Sequence, residues 1–281
     1  MPSSSDTSIA PSAPARYNPR MHAIISVLHF PWETIEDCCR IARDELGLGG
    51  VELSLPHPQC RPEDLARLPA LREQYGLTLD AHIWENLAQL GEDAGATALL
   101  DWLEVCRISG ITGLIIHGGS YDDRREGIAR TRRTLARVLG AFERTGVALK
   151  LENHYAFDYH GCHELFSEPW EFREVLSLDS PALRFCFDTG HGHMTHNWHE
   201  LLCELAPWLA HVHLADNGGV DDDHQPYRRG TVPWDAMFDV LAGIGFTGVF
   251  CIEFPVFKDR APFRLCQAEL AARWPDNVMM Q

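Results

Sequence analysis

The chain has 281 residues, 45% of them hydrophobic, and a formal net charge of -16 from 24 basic and 40 acidic side chains. No apolar run approaches the roughly 18 residues that a membrane-spanning helix needs, so no membrane span is expected. The acidic balance disfavours a polyanion such as nucleic acid as a partner, and the length suits one core of the α/β-barrel size, about 250 residues.

Residues 1–20 are rich in Ser, Pro and Ala and lack a hydrophobic segment, which predicts a disordered N-terminal tail and no secretory signal. That leaves 21–281 for the fold. The 9 cysteines are odd in number and contain no Cys-x-x-Cys pair, the usage of a reduced, cytoplasmic protein. Cys186 and Cys251 fall within apolar runs and read as small buried hydrophobes.

In chain order, a predicted strand at His22–Leu28 is followed by a helix at Ile35–Leu46, then a strand at Gly50–Leu55 and a helix at Pro62–Tyr75. Next come a strand at Leu77–Ile83, a helix at Thr97–Ser109, a strand at Ile111–His117 and a helix at Ile128–Thr145. The second half alternates in the same way: strand Val147–Glu152, helix Pro169–Ser177, strand Leu183–Asp188 and helix Trp198–Leu205. A strand at Ala210–Leu214, a helix at Trp234–Ile244, a strand at Val249–Glu253 and a closing helix from Pro262 complete the chain. Gly47, Gly76, Gly110, Gly146 and Gly245 each stand between a helical pattern and a strand, where a helix C-terminus uses the left-handed conformation. Eight strands alternating with helices predict a single-domain (β/α)8 TIM barrel, with long loops at 156–167 and 217–230 as candidates for functional segments.

In such a barrel the active site gathers at the C-terminal ends of the strands. Here those ends carry His29, His82, His117, Glu152, Asp188 with His191 just behind it, His213 and Glu253. A polar residue after one strand is ordinarily the start of a loop, but this many His, Asp and Glu around a closed ring converge on one cup. Converging carboxylates repel unless a cation lies among them, and a mixed oxygen and imidazole shell suits one divalent ion: Mn, Co, Zn or Mg.

Four stretches then carry a family resemblance: LENH at 151–154, FDTGHGH at 187–193, HVHLADNGG at 211–219 with DDDH at 221–224, and CIEF at 251–254. In order and spacing they resemble the xylose-isomerase-like barrel superfamily of sugar and sugar-phosphate isomerases and epimerases, related dehydratases and barrel-type AP endonucleases. The resemblance implies a metal held by Glu152, Asp188, His213 and Glu253, with His191 facing the substrate. It also implies Glu152 and Glu253 as the acid and base that move a proton beside a carbonyl through an enediolate. His82, His117, Asp222 and His224 match extra metal ligands of the endonuclease branch, and in the sugar-acting branch the histidines His82, His117 and His224 would bind substrate or hold the site. The chain departs from the ketohexose epimerases where an arginine after the strand-seven histidine is replaced by Gly219.

Arg228 and Arg229 are the candidates for reaching a phosphate or carboxylate, and Trp84, Trp234, Phe254 and Phe257 for an apolar wall against a sugar ring. Lys150 shares a strand face with Glu152 and is expected to point into the barrel as a charge partner. The leading expectation is a metal-dependent isomerase or epimerase acting on a small sugar-like molecule. The alternatives are a metal-dependent dehydratase of a cyclic polyol or ketoacid, a multi-zinc phosphodiesterase and a non-catalytic binding barrel, and association into a homo-oligomer stays open.

Overall fold

Eight parallel strands close on themselves in the computed structural model, which describes residues 22–30, 34–55, 62–156, 158–159 and 162–275. The strands are β1 (His22–Ser26), β2 (Gly50–Leu55), β3 (Thr78–Ile83), β4 (Gly113–Ile116), β5 (Ala148–Glu152), β6 (Leu183–Asp188), β7 (Leu209–Leu214) and β8 (Val249–Ile252). Each pairs with its successor, and β1 completes the ring by pairing with both β2 and β8, Ile25 lying opposite Val51 on one side and Ile252 on the other. This is the expected barrel, and no described helix is long and apolar enough to cross a membrane. The segment read as a tail, 1–20, lies outside the described residues.

The five glycines placed at helix ends, Gly47, Gly76, Gly110, Gly146 and Gly245, all have φ between 62° and 74°, the region closed to most side chains. Helix starts were less legible. The helix expected from Thr97 begins at Glu92, and Gly95 inside it lets Thr134 of the neighbouring helix approach to 3.0 Å from where a Cβ would stand. The helix expected from Ile128 begins at Arg124, capped by the Asp123 carboxylate, which accepts from the Glu126 amide at 3.0 Å. The segment 62–75 is two helices, Pro62–Leu65 and Leu68–Tyr75.

The large apolar core lies between strands and helices, built from outward residues such as Leu53, Leu79, Leu114, Leu149, Leu151, Phe185 and Val212. The barrel interior is different. Alternation along the strands turns Glu52, Asp80, His82, Lys150, Glu152, His211 and His213 inward, all buried, beside a smaller set of apolar residues that includes the separate group of Ile24, Val249 and Cys251. Interiors of such barrels are ordinarily filled by branched aliphatic side chains, so a charged interior calls for a chemical reason.

Candidate metal centre and active site

Glu152 ends β5, Asp188 ends β6, His213 is the penultimate residue of β7, and Glu253 follows β8 directly. One ligand atom from each lies within 4.8 Å of the others, and all four residues are at most 3% exposed. Asp188 is held twice. Its Oδ1 caps the helix Thr189–Thr195 by accepting from the His191 amide at 2.6 Å, and its backbone is clamped by the Asn153 side chain, which accepts from the Asp188 amide and donates to its carbonyl. This helix, which carries Gly190 and Gly192, precedes the one expected at Trp198–Leu205. Both glycines serve packing, since a Cβ would stand 2.8 Å from the Asn217 amide nitrogen at one and 2.8 Å from the Phe187 ring at the other.

The donor set fits a cation. Glu152 Oε2, Asp188 Oδ2 and His213 Nδ1 are buried with no hydrogen bond of good geometry despite polar neighbours, a costly condition unless something else satisfies them. His213 Nδ1 stands 3.2 Å from Glu152 Oε1 and 3.1 Å from Glu253 Oε2. Burial pushes the Glu253 carboxyl up to about 8 and raises that of Asp188. Burial would also raise Glu152, but His213, His117 and His82 around it hold its carboxyl well below the usual range. His213 rises well above its ordinary value despite burial, because Cys186 and the carboxylates of Glu253, Glu52 and Glu152 surround it. Without a metal the cluster therefore retains protons where positive charge is wanted, the expected signature of ligands that release protons on binding a cation.

A second group adjoins the first. His82 and His117 each put Nε2 3.3 Å from Glu152 Oε2 and 3.1 Å from one another, so Glu152 is shared between two possible ligand sets. On the other side Asp222 bridges two histidines, with Oδ2 3.2 Å from His191 Nε2 and Oδ1 3.3 Å from His224 Nε2. His191 Nδ1 contacts the Asn153 carbonyl at 2.8 Å. Burial would lower both of these histidines, but Asp188 and Asp222 raise His191 well above its ordinary value, and Asp222 raises His224 to about 9. His224 has φ 45° and contacts the Glu253 carbonyl with Nδ1 at 2.8 Å, so its strained backbone is tied directly to the fourth ligand. His29 reaches the same carbonyl at 3.2 Å and does not line the cavity.

Above these groups opens a cavity of about 610 Å3, lined by His82, Trp84, His117, Glu152, His154, His191, Asp222, His224 and Glu253 together with residues of the two long loops, among them Glu164 and Val220. Of the aromatic residues expected at its wall only Trp84 is there, 51% exposed with its ring stacked on His82 at 5.1 Å. Trp234 is buried and donates to Asp216, Phe254 is buried core, and Phe257 packs on Phe30. The arginines lie elsewhere: Arg228 pairs with Asp235 and Glu269, and Arg229, 60% exposed, meets Asp259 at 3.4 Å. No lysine or arginine is among the described residues that line the cavity.

Sequence reasoning missed Glu52. Its carboxylate accepts from His213 Nε2 at 3.1 Å, across the barrel from β2 to β7. The available signal was a lone acid inside the apolar run GVELSL, a place where charge is rarely buried unpaired. Lys150 does point inward as expected, but its partners are Asp80 at 2.5 Å and His211 at 3.0 Å, below the four-ligand cluster.

Known structures with this architecture include a D-tagatose 3-epimerase-like protein, 21% identical with a TM-score of 0.77 over 90% of this chain and 98% of its own. D-psicose 3-epimerase of Clostridium cellulolyticum H10 is 18% identical with a TM-score of 0.74, over 90% of this chain and 98% of its own. A 3-keto-D-glucoside 4-epimerase of E. coli is 17% identical with a TM-score of 0.69, over 91% and 99%. An uncharacterised protein of Methanocaldococcus jannaschii is 31% identical over 130 residues, 45% of this chain and 43% of that relative, so less than half of the relative's length is matched. Residues 40–275 match the family described as the xylose isomerase-like TIM barrel, and the chain belongs to that family.

Proposed function

We propose that the protein is a divalent-metal-dependent epimerase or isomerase of an unphosphorylated sugar, moving a proton on a carbon beside a carbonyl. The observation that carries this reading is the convergence of Glu152, Asp188, His213 and Glu253, with unsatisfied buried ligand atoms, at the base of a cavity with no lysine or arginine among its described lining residues. A phosphate would face several carboxylates with no described lysine or arginine to offset them, whereas a neutral polyol can hydrogen-bond to the polar lining and pack on Trp84. The epimerase names borne by the structural neighbours support the same reading.

Glu152, Asp188, His213 and Glu253 would hold the ion, which when bound supplies polarisation of the substrate carbonyl. The two glutamates would divide the proton work: Glu152, whose ionised form the surrounding imidazoles favour, as the base, and Glu253 as the group that returns the proton. His191 and His224 line the cavity with one ring nitrogen on Asp222 and the other on a backbone carbonyl, so they would hold Asp222 in place as an acceptor for hydroxyls. The test is a screen of ketoses and keto-glycosides in D2O with Mn(II) or Co(II), read by NMR. Deuterium at the carbon next to the carbonyl with no loss of water is the expected result. Loss of water would make the protein a dehydratase, and no exchange with any such sugar would reject the reading.

The shared position of Glu152 between the four-ligand cluster and the His82–His117 pair favours a second reading, multi-cation phosphodiester hydrolysis. It predicts more than one tightly held zinc per chain and cleavage of an abasic-site oligonucleotide. The acidic cavity, with no described lysine or arginine to neutralise a phosphate, argues against it.

A further inference from the structure

Below the four-ligand cluster a line of buried groups crosses the barrel from β5 through β3 and β7 to β2. Lys150 Nζ lies 2.5 Å from Asp80 Oδ2 and 3.0 Å from His211 Nδ1. An ammonium only donates, so His211 Nδ1 accepts and its proton sits on Nε2. That Nε2 faces Glu52 Oε2 at 3.2 Å, off the best hydrogen-bonding direction, while His213 Nε2 approaches the same oxygen at 3.1 Å in good geometry. An ionised carboxylate only accepts, so His213 donates through Nε2, which leaves Nδ1 as the nitrogen aimed at Glu152 and Glu253.

We infer that Glu52 is a positioning residue, fixing the ring orientation and tautomer of His213 so that Nδ1 is presented to a cation, with Lys150 setting the sense of the hydrogen bonds behind it. The inference rests on the metal reading above. A carboxylate behind a ligating imidazole orients the ring and makes it a better donor, and losing such a partner typically weakens metal binding roughly 10–100-fold. Glu52 does not line the cavity; its carboxylate also lies 3.2 Å from His211 and 4.0 Å from His82, and of the four converging ligands His213 is the one with which it is hydrogen-bonded.

The test is Co(II) binding to the full chain by calorimetry, for wild type, Glu52→Leu, Glu52→Gln and Asp188→Ala, each checked for folding by circular dichroism. Glu52→Leu is expected to bind roughly 10–100-fold more weakly. Glu52→Gln, whose amide oxygen can still accept from Nε2, should recover part of that loss, which a merely structural role would not produce. In the zinc-loaded wild type the His213 Nε2–H should also give a solvent-protected downfield NMR signal that Glu52→Leu loses. Should Glu52→Leu not fold, Glu52→Gln decides on affinity alone. Wild-type affinity in the folded Glu52 variants, with Asp188→Ala impaired, would overturn the inference and leave the metal reading standing. Equal, negligible binding by wild type and Asp188→Ala would overturn both.

Discussion

Lys150→Met removes the one ammonium in the barrel interior among the described residues and leaves the Asp80 carboxylate buried beside His211. Lys150 is 1% and Asp80 5% exposed, and Gly113 packs so closely that a Cβ there would stand 2.6 Å from both charged groups, so water has little room to replace the lost partner. Breaking a buried ion pair on one side costs about 3–5 kcal/mol. For a chain of this length each kcal/mol shifts the melting midpoint by about 2–4 °C, so a fall of roughly 10 °C is expected. Replacing both partners, Asp80→Leu with Lys150→Met, removes the unpaired charge and should recover most of the loss. Thermal and urea unfolding followed by circular dichroism measures all three proteins. A single variant within about 1 kcal/mol of wild type would refute the pairing as a stabilising necessity, and a double variant worse than the single would refute the charge argument.

Glu152→Gln and Glu253→Gln should each lower deuterium exchange into substrate by about 10^2–10^4-fold with the fold intact, and full activity in either would remove it from proton transfer. Trp84→Ala should raise KM about fivefold, near 1 kcal/mol, with kcat and Tm little changed, because Trp84 is exposed at the cavity wall and supports no core. Burial alone would raise the Asp80 carboxyl, but Lys150 holds it well below its ordinary value. The unfolded chain therefore takes up a proton at about pH 4 where the native state does not, so this contribution is complete above that pH and is lost as pH falls below it. Urea midpoints from pH 6 to pH 3 should fall more steeply for wild type than for the Asp80→Leu/Lys150→Met protein, and parallel curves would contradict the assignment.

The barrel was legible because its strands are largely apolar runs of four to six residues punctuated by glycines that only a left-handed helix end explains. The four candidate ligands could be named because each stands where such a run stops. What escaped was information carried by three-dimensional approach. The helix Thr189–Thr195 carries two glycines, poor helix formers, and only the Asn217 side chain and the packed Phe187 ring show why neither position has room for a Cβ. Glu52 sits mid-strand, and nothing in its neighbours in sequence points across the barrel to His213. Lys150 was rightly turned inward by strand alternation, yet periodicity cannot choose among carboxylates, and Asp80 lies nearest. Arg229 looked available for a substrate anion, but the loop directs it to Asp259, away from the cavity.

The central claim is the metal at the four-ligand cluster, and its most direct test is elemental analysis of the purified protein beside an identically prepared Asp188→Ala variant. About one divalent ion of Mn, Co, Zn or Mg per chain is expected in wild type, and its loss in the variant, which removes one of the four converging ligands. Near three zinc ions per chain would contradict the single-ion epimerase in favour of phosphodiester chemistry. No ion under metal-replete conditions would contradict the account at its root.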